Sequence, residues 1–292
     1  MRYKYFICDV FTPNRFGGNQ LAVLPHAKGL SDTQMQQIAK EFNFPESTFI
    51  FPAKKGNTRE VRIFNPTMEM PFAGHPNIGT AFVLENIGEL GEIDDAFQIV
   101  FEEKAGLVPI TLSKDSQGEI FCELKGPEEL SLGDDLSVDL VASALSISPN
   151  DIVVDCHVPH IASVGMPFVM VELKNHDVLK KIKVNLTEFE TIASQGISPF
   201  VHSYIRSNDE FDIKARMFAP LQGIPEDPAT GSANCALAGL LAYYDTKSSG
   251  LFEWTVSQGV EISRPSFLKV RAEKKDDKVL NTWVGGQSVM VS

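Results

Sequence analysis

Cysteine is scarce in this chain, and the four present (Cys8, Cys122, Cys156 and Cys235) show no CxxC spacing. They read as reduced thiols of a cytosolic protein, not as a disulfide framework. Basic residues are also in deficit: 26 Lys and Arg against 38 Asp and Glu leave a net charge of −12. Nucleic-acid and anionic-membrane surfaces need clustered Lys and Arg, so both are excluded as partners, while a local pocket for a small anion is not. No run of 18 apolar residues occurs, so no membrane-spanning helix is expected. Asp9 falls too early for the apolar region of a secretory signal, and a cytoplasmic location is expected. The cluster Cys156-His157-x-x-His160 lacks a second group of ligands and reads as part of a strand over 151–158, so no metal is expected.

What the chain does have is ordinary globular composition, 43% hydrophobic and 22% charged, and 292 residues suited to one or two domains. β-branched and aromatic runs predict strands at 3–11, 20–25, 48–52, 60–65, 97–102, 108–113 and 119–124. In the second half they fall at 151–158, 167–173, 200–206, 212–218, 252–257, 267–273 and 282–291. Helical spacing marks 31–43, opened by a Ser31-x-x-Gln34 capping box, and the segments 136–146 and 186–195. The acidic, turn-rich stretch 125–135 reads as a linker, giving domains 1–125 and 126–292, with the final strand free to return to the first half.

A short segment occurs twice. His75-Pro-Asn-Ile-Gly-Thr-Ala81 and Asp227-Pro-Ala-Thr-Gly-Ser-Ala233 share Pro, Gly, a hydroxyl residue and Ala in register. Each follows an Arg-x-Phe-x-Pro element, Arg62 to Pro66 and Arg216 to Pro220. A weaker match links 18–23 to 165–170, so three elements recur in the same order at offsets of 147, 154 and 152 residues. Proline suits the first helical position and Asp is a favoured N-cap, so helices are expected from Pro76 to Ile87 and from Pro228 to Tyr244. The second is apolar on almost every side, as a buried helix is. The predicted architecture is α+β: two pseudo-symmetric halves, each a curled, mostly antiparallel sheet around a central helix, with the active site between them.

A helix start presents N–H groups without intrahelical partners and a partial positive charge, which suits a carboxylate or a developing oxyanion. Gly74 and Gly231 permit close backbone approach there, and Thr230 and Ser232 add hydroxyls. By itself His75 reads as a structural histidine and Asp227 as an N-cap. Their placement at matched points of a repeat favours a site role, because histidine is a poor cap. A histidine there should be neutral and able to relay a proton. Glu46 is flanked by Phe44, Pro45 and Phe49, apolar company that suits a general base near neutrality.

Phe16-Gly-Gly-Asn19, Pro45-Glu-Ser-Thr-Phe49, Pro71-Phe-Ala-Gly-His-Pro76 and Glu226-Asp-Pro-Ala-Thr-Gly-Ser-Ala233 resemble the signatures of the PhzF family. Gln258-Gly259, Arg264-Pro-Ser266 and Val284-Gly-Gly286 extend the resemblance to the C-terminus, so it covers nearly the whole chain. The resemblance implies a diaminopimelate-epimerase-like fold, a homodimer, and no metal or organic cofactor. It implies an isomerase in which the glutamate matching Glu46 moves a proton, His75, Asp227 and Ser232 match other polar site positions, and Gly74 matches a backbone contact. Gln20 departs from the proline usual after Gly-Asn, which bears on loop shape. The two-cysteine racemases of the same fold are excluded, since 73–76 and 226–231 hold no cysteine. The expected function is thus a cofactor-independent proton shift on a small carboxylated metabolite. The alternatives are a non-catalytic binder of small molecules on the same fold and an epimerase without catalytic cysteines.

Overall fold

A computed structural model describes residues 2–91, 96–114 and 118–292. The chain divides into two units, Met1–Lys125 with Gly285–Ser292 and Gly126–Val284.

The first unit opens with the antiparallel strands β1 (Phe6–Val10) and β2 (Asn19–Leu24), followed by helix α1 (Asp32–Phe42). Ser31 and Gln34 close a reciprocal capping box, and Asn43 ends α1 in the left-handed region at φ 53°. β3 (Glu46–Phe51) then lies parallel to β2, and β4 (Arg59–Phe64) returns antiparallel to β3. The two-residue β5 (Glu69–Met70) leads into the central helix α2 (Gly74–Asn86). β6 (Phe97–Glu103) runs parallel to β4, and the meander of β7 (Gly106–Lys114) and β8 (Ile120–Lys125) completes the sheet. Met35 and Ala39 of α1 pack on Phe49 and Phe64 outside the sheet.

The second unit begins with β9 (Ser131–Asp135), helix α3 (Val138–Ala144) and β10 (His160–Ser163). It then repeats the plan. β11 (Pro167–Glu172) pairs antiparallel with β10. Helices α4 (His176–Lys181) and α5 (Leu186–Ser194) follow, and β12 (Val201–Arg206) lies parallel to β11. β13 (Ile213–Ala219) and β14 (Ile224–Asp227) pair in antiparallel succession and deliver the central helix α6 (Gly231–Tyr244). β15 (Gly250–Gln258) runs parallel to β13 and pairs with β16 (Ser266–Lys275). The last strand, β17 (Lys278–Met290), starts in the second unit, and its end pairs with β1 in the first, Met290 opposite Cys8. Val141, Val178, Phe189 and Ile192 of the outer helices cover Val169, Val171 and Val201.

Both central helices are buried along nearly their whole length, from His75 to Glu85 and from Gly231 to Ala242 apart from Ser232. The repeat extends to side chains. Arg62 reaches Glu69 through two nitrogens (2.7 and 2.9 Å) and lies over the Phe64 ring; Arg216 grips Glu226 the same way (2.9 and 2.6 Å) and lies over Phe218. Bidentate pairing fixes geometry as well as charge. Each arginine therefore clips the short strand before a central helix onto the strand that precedes it.

The structure corrects four local expectations. The segment 151–158 is not a strand: Pro149–Asp151 forms a short 3-10 turn closed by Ser148 and Asp151, Ile152 makes an isolated bridge, and the strand starts only at His160. The stretch 125–135 is not all linker, since β9 pairs with β10. Neither central helix starts at its proline. α2 begins at Gly74 with Ala73 at the cap, and α6 begins at Gly231 with Thr230 at the cap, so Asp227 is the last residue of a strand and not an N-cap.

Gly259, the residue after β15, packs its backbone closely against Pro228 and Arg264. Its φ is +74°, and a Cβ there would lie 2.5 Å from the Arg264 carbonyl oxygen and 2.6 Å from that of Pro228. Both are backbone atoms that cannot swing aside. Gly259→Ala is expected to cost at least about 2 kcal/mol, read as a lower denaturant midpoint at unchanged slope.

Candidate active site

In the first unit the sheet and the central helix bring Glu46 and His75 together. Glu46 opens β3, and His75 is the second residue of α2. The His75 Nε2 lies 3.5 Å from Glu46 Oε2, with the imidazole almost fully buried. Burial holds the ring's pKa down to about 3, against a smaller opposite pull from its hydrogen bond to the backbone of Gln20. Gln20 sits in regular pairing with Asp9 of β1, so the residue that departs from the family pattern holds this histidine by its main chain. A neutral ring whose other nitrogen serves Gln20 turns a lone pair at Nε2 towards the Glu46 carboxyl. Among the described residues, Nε2 has no hydrogen-bond partner of its own.

Gly74 precedes His75, half-buried, as the first residue of α2. The cap residue Ala73 offers no side chain to the helix start, and the first turn holds no acidic residue. In α6 the cap residue Thr230 likewise makes no side-chain bond to the helix start, and its first turn holds no acidic residue either. Each buried helix therefore keeps the positive end of its dipole uncompensated by its own first turn, which favours a bound anion.

In the second unit Asp227, Thr230, Gly231 and Ser232 lie together at the start of α6. The Thr230 hydroxyl donates to Asp227 Oδ2 at 2.6 Å. Gln258, at the end of β15, donates through Nε2 to the Asp227 carbonyl (2.8 Å) and to Thr230 Oγ1 (3.1 Å). Its oxygen accepts from the Thr230 N–H (3.3 Å) and from Asn234 Nδ2 (2.8 Å). These bonds hold 227–230 extended and explain why α6 starts later than its proline suggests. Gln258 and Asn234 are absent from the sequence-based site. Gln258 enters the sequence reading only as part of a signature, and Asn234 lies within an apolar helix.

The matched strand registers show where the units differ. Ser47 stands opposite Phe64 as Val201 stands opposite Phe218, so Glu46 corresponds to Phe200 and Thr48 to His202. The first unit thus has a carboxyl where the second has an aromatic ring. Thr48 meets Thr80 of α2 at 2.9 Å, whereas the buried His202 faces Asn234 of α6.

The histidines of the Cys156-His157-x-x-His160 cluster are engaged within the protein. His157 bonds the Val158 carbonyl and the Tyr204 hydroxyl, both at 2.7 Å, and His160 pairs with Asp135.

The neutral state of His75 is directly measurable. Its folded pKa lies below the unfolded value, so its contribution to stability is full above about pH 6.5 and is lost as the pH falls towards about 3. Imidazole ¹⁵N shifts of His75 are expected to keep the neutral pattern from pH 8 down to 5.

Comparison with known proteins gives a consistent picture. Residues 8–292 match the model of a family described as phenazine biosynthesis-like protein. An uncharacterized isomerase of Mesorhizobium japonicum is 34% identical over 99% of this chain and 97% of its own length. The trans-2,3-dihydro-3-hydroxyanthranilate isomerase of Pseudomonas fluorescens is 32% identical over 98% and 96%. The crystal structure of a Bacillus anthracis phenazine biosynthesis protein of the PhzF family superposes with a TM-score of 0.89 at 27% identity, covering 100% of this chain and 98% of that one. A probable proline racemase from Agrobacterium radiobacter shares the fold at 13% identity and a TM-score of 0.65, over 100% and 92%.

Proposed function

The chain belongs to the PhzF family of phenazine biosynthesis-like isomerases, and we propose that it moves a proton within a small carboxylated metabolite by carboxylate general acid/base catalysis. The observation that carries this reading is the Glu46–His75 pair. A carboxyl and a buried neutral imidazole, 3.5 Å apart at the start of an uncapped buried helix, can take up a proton and return it.

In this reading Glu46 exchanges the proton with substrate carbon. His75 stays uncharged, so its Nε2 accepts a hydrogen bond from the protonated Glu46 and holds that carboxyl in place. The backbone N–H group at Gly74 stabilises the enolate-like charge that develops as the proton leaves, and the start of α6, with Gly231, Thr230 and Ser232, offers donors suited to a carboxylate. Asp227, fixed by the Thr230 hydroxyl and the Gln258 amide, orients the substrate. Since Glu46 corresponds to Phe200 and no cysteine stands at either helix start, a single carboxyl serves for both removal and return of the proton. Such a step involves no net electron transfer, and we propose that it proceeds without a cofactor.

The substrate named for the Pseudomonas fluorescens relative supplies the first probe. Glu46→Gln keeps the side chain's size and removes its acid/base function. With trans-2,3-dihydro-3-hydroxyanthranilate, this variant is expected to fold normally and to lose roughly 10²–10⁴ in kcat. Equal turnover by variant and wild type would refute the role of Glu46. Binding of the compound by wild type without turnover or solvent deuterium uptake would instead support a binding protein.

A further inference from the structure

Gln258 has a counterpart in the first unit. β6 lies beside β4 as β15 lies beside β13: Arg59 and Glu60 face Phe101 and Glu102, and the matching Ile213 and Lys214 face Val256 and Ser257. One residue further on, Gln258 stands beside Ala215, and the equivalent residue of β6 is Glu103. The second unit places an amide at this point and the first unit places an acid.

The surroundings of that acid are unlike those of its neighbour. Glu102 points away from the helix and accepts hydrogen bonds from the Lys54, Lys55 and Asn57 backbone N–H groups. Glu103 lies on the face of β6 that carries the buried Ile99 and Phe101. Both its carboxyl oxygens are buried and approached by the Asn77 amide, yet neither they nor Asn77 Oδ1 has a partner within normal hydrogen-bond geometry among the described residues. Asn77 follows His75 by two residues, and its Nδ2 donates to the carbonyl of the cap residue Ala73 at 3.0 Å. An ionised carboxylate in such a place would be a buried, unpaired charge. A protonated one has an O–H to donate, as the Gln258 amide has its N–H.

We propose that Glu103 is a positioning residue of the candidate site: as a neutral carboxylic acid it braces Asn77 and the start of α2, and through them Gly74 and His75, in the way that Gln258 braces the start of α6. The activity arm of its test rests on the isomerase reading above, and the structural arm does not.

The groups around Glu103 are mostly uncharged. Gly106 pairs with it on β7, and α2 presents Asn77, with the neutral His75 two residues before. The nearby Lys104 is directed to Glu69 of β5. Burial pushes the Glu103 carboxyl up to about 8, with only the Asn77 amide acting the other way. The folded chain therefore holds this proton to higher pH than the unfolded chain, whose glutamates release theirs near about 4.3. Stability from this group is full below that value and declines as the pH rises to about 8.

The test compares wild type, Glu103→Gln and Glu103→Ala. Without substrate, the Asn77 side-chain amide signals of wild type are expected to shift with a midpoint near pH 8 and to stay fixed in Glu103→Gln. With trans-2,3-dihydro-3-hydroxyanthranilate, wild-type kcat should fall about tenfold per pH unit above that midpoint, and Glu103→Gln should lack that fall. Glu103→Ala should lose about tenfold in kcat at pH 7, a loss that the glutamine variant rescues. Asn77 signals that ignore pH in wild type would overturn the proposal, as would a Glu103→Gln variant as impaired as Glu103→Ala at pH 7. If no protein turns over the compound, wild type included, the isomerase reading of this substrate fails and the Asn77 signals alone decide on Glu103.

Discussion

A helix apolar on every side leaves polarity one place to go, its ends. α2 and α6 are buried along nearly their whole length, with few polar contacts beyond their first turns. Backbone N–H groups at the first turn have no intrahelical acceptor, and burying them unmet is costly. Polar groups in each core are consequently drawn to the helix start: Glu46, His75, Asn77 and Glu103 in one unit, Asp227, Thr230, Asn234 and Gln258 in the other. The site is a consequence of the packing, and its chemistry is what the two units have since done differently with the same constraint.

That divergence can be followed position by position. The arginine clips are kept, Arg62 with Glu69 and Arg216 with Glu226, because both units need the chain held before it enters the central helix. The residue before the shared proline is histidine in one unit and aspartate in the other. Glu46 is answered by Phe200, Thr48 by His202, and Glu103 by Gln258. The second unit ties Thr230, Asn234 and Gln258 into a network around Asp227, in which every donor named has an acceptor. Among the described residues, the first unit leaves His75 Nε2 and the Glu103 oxygens without a partner within normal hydrogen-bond geometry. Proton transfer needs a group that is not already fully engaged, and in the first unit His75 Nε2 meets that condition beside the Glu46 carboxyl.

Much of this could be read from the chain. Stretches rich in β-branched and aromatic residues located the longer strands but not the short β5, β9, β10 and β14, and the repeated proline-glycine segments located both central helices and their burial. His75 and Asp227 stood out because the motif that holds them occurs twice, and Glu46 because its neighbours Phe44, Pro45 and Phe49 are apolar. What escaped depended on contacts distant in sequence. The late start of α6 is imposed by Gln258, and nothing local to Asp227-Pro228 announces it. The segment 151–158 is rich in strand-forming residues, yet Ser148, Pro149 and Asp151 close a turn and Tyr204 takes the His157 ring. Glu103 follows another glutamate in an ordinary strand, and only the fold shows that one faces outward to three N–H groups while the other faces the helix.

The central claim is that Glu46 is the group that meets the reacting carbon. A crystal structure of the Glu46→Gln variant with trans-2,3-dihydro-3-hydroxyanthranilate bound tests it most directly. The account predicts the proton-losing carbon within about 3–3.5 Å of the carboxamide that replaces the Glu46 carboxyl, with the compound's carboxylate on backbone N–H groups of a central helix start. A reacting carbon that lies nearer another titratable side chain than residue 46 would contradict it.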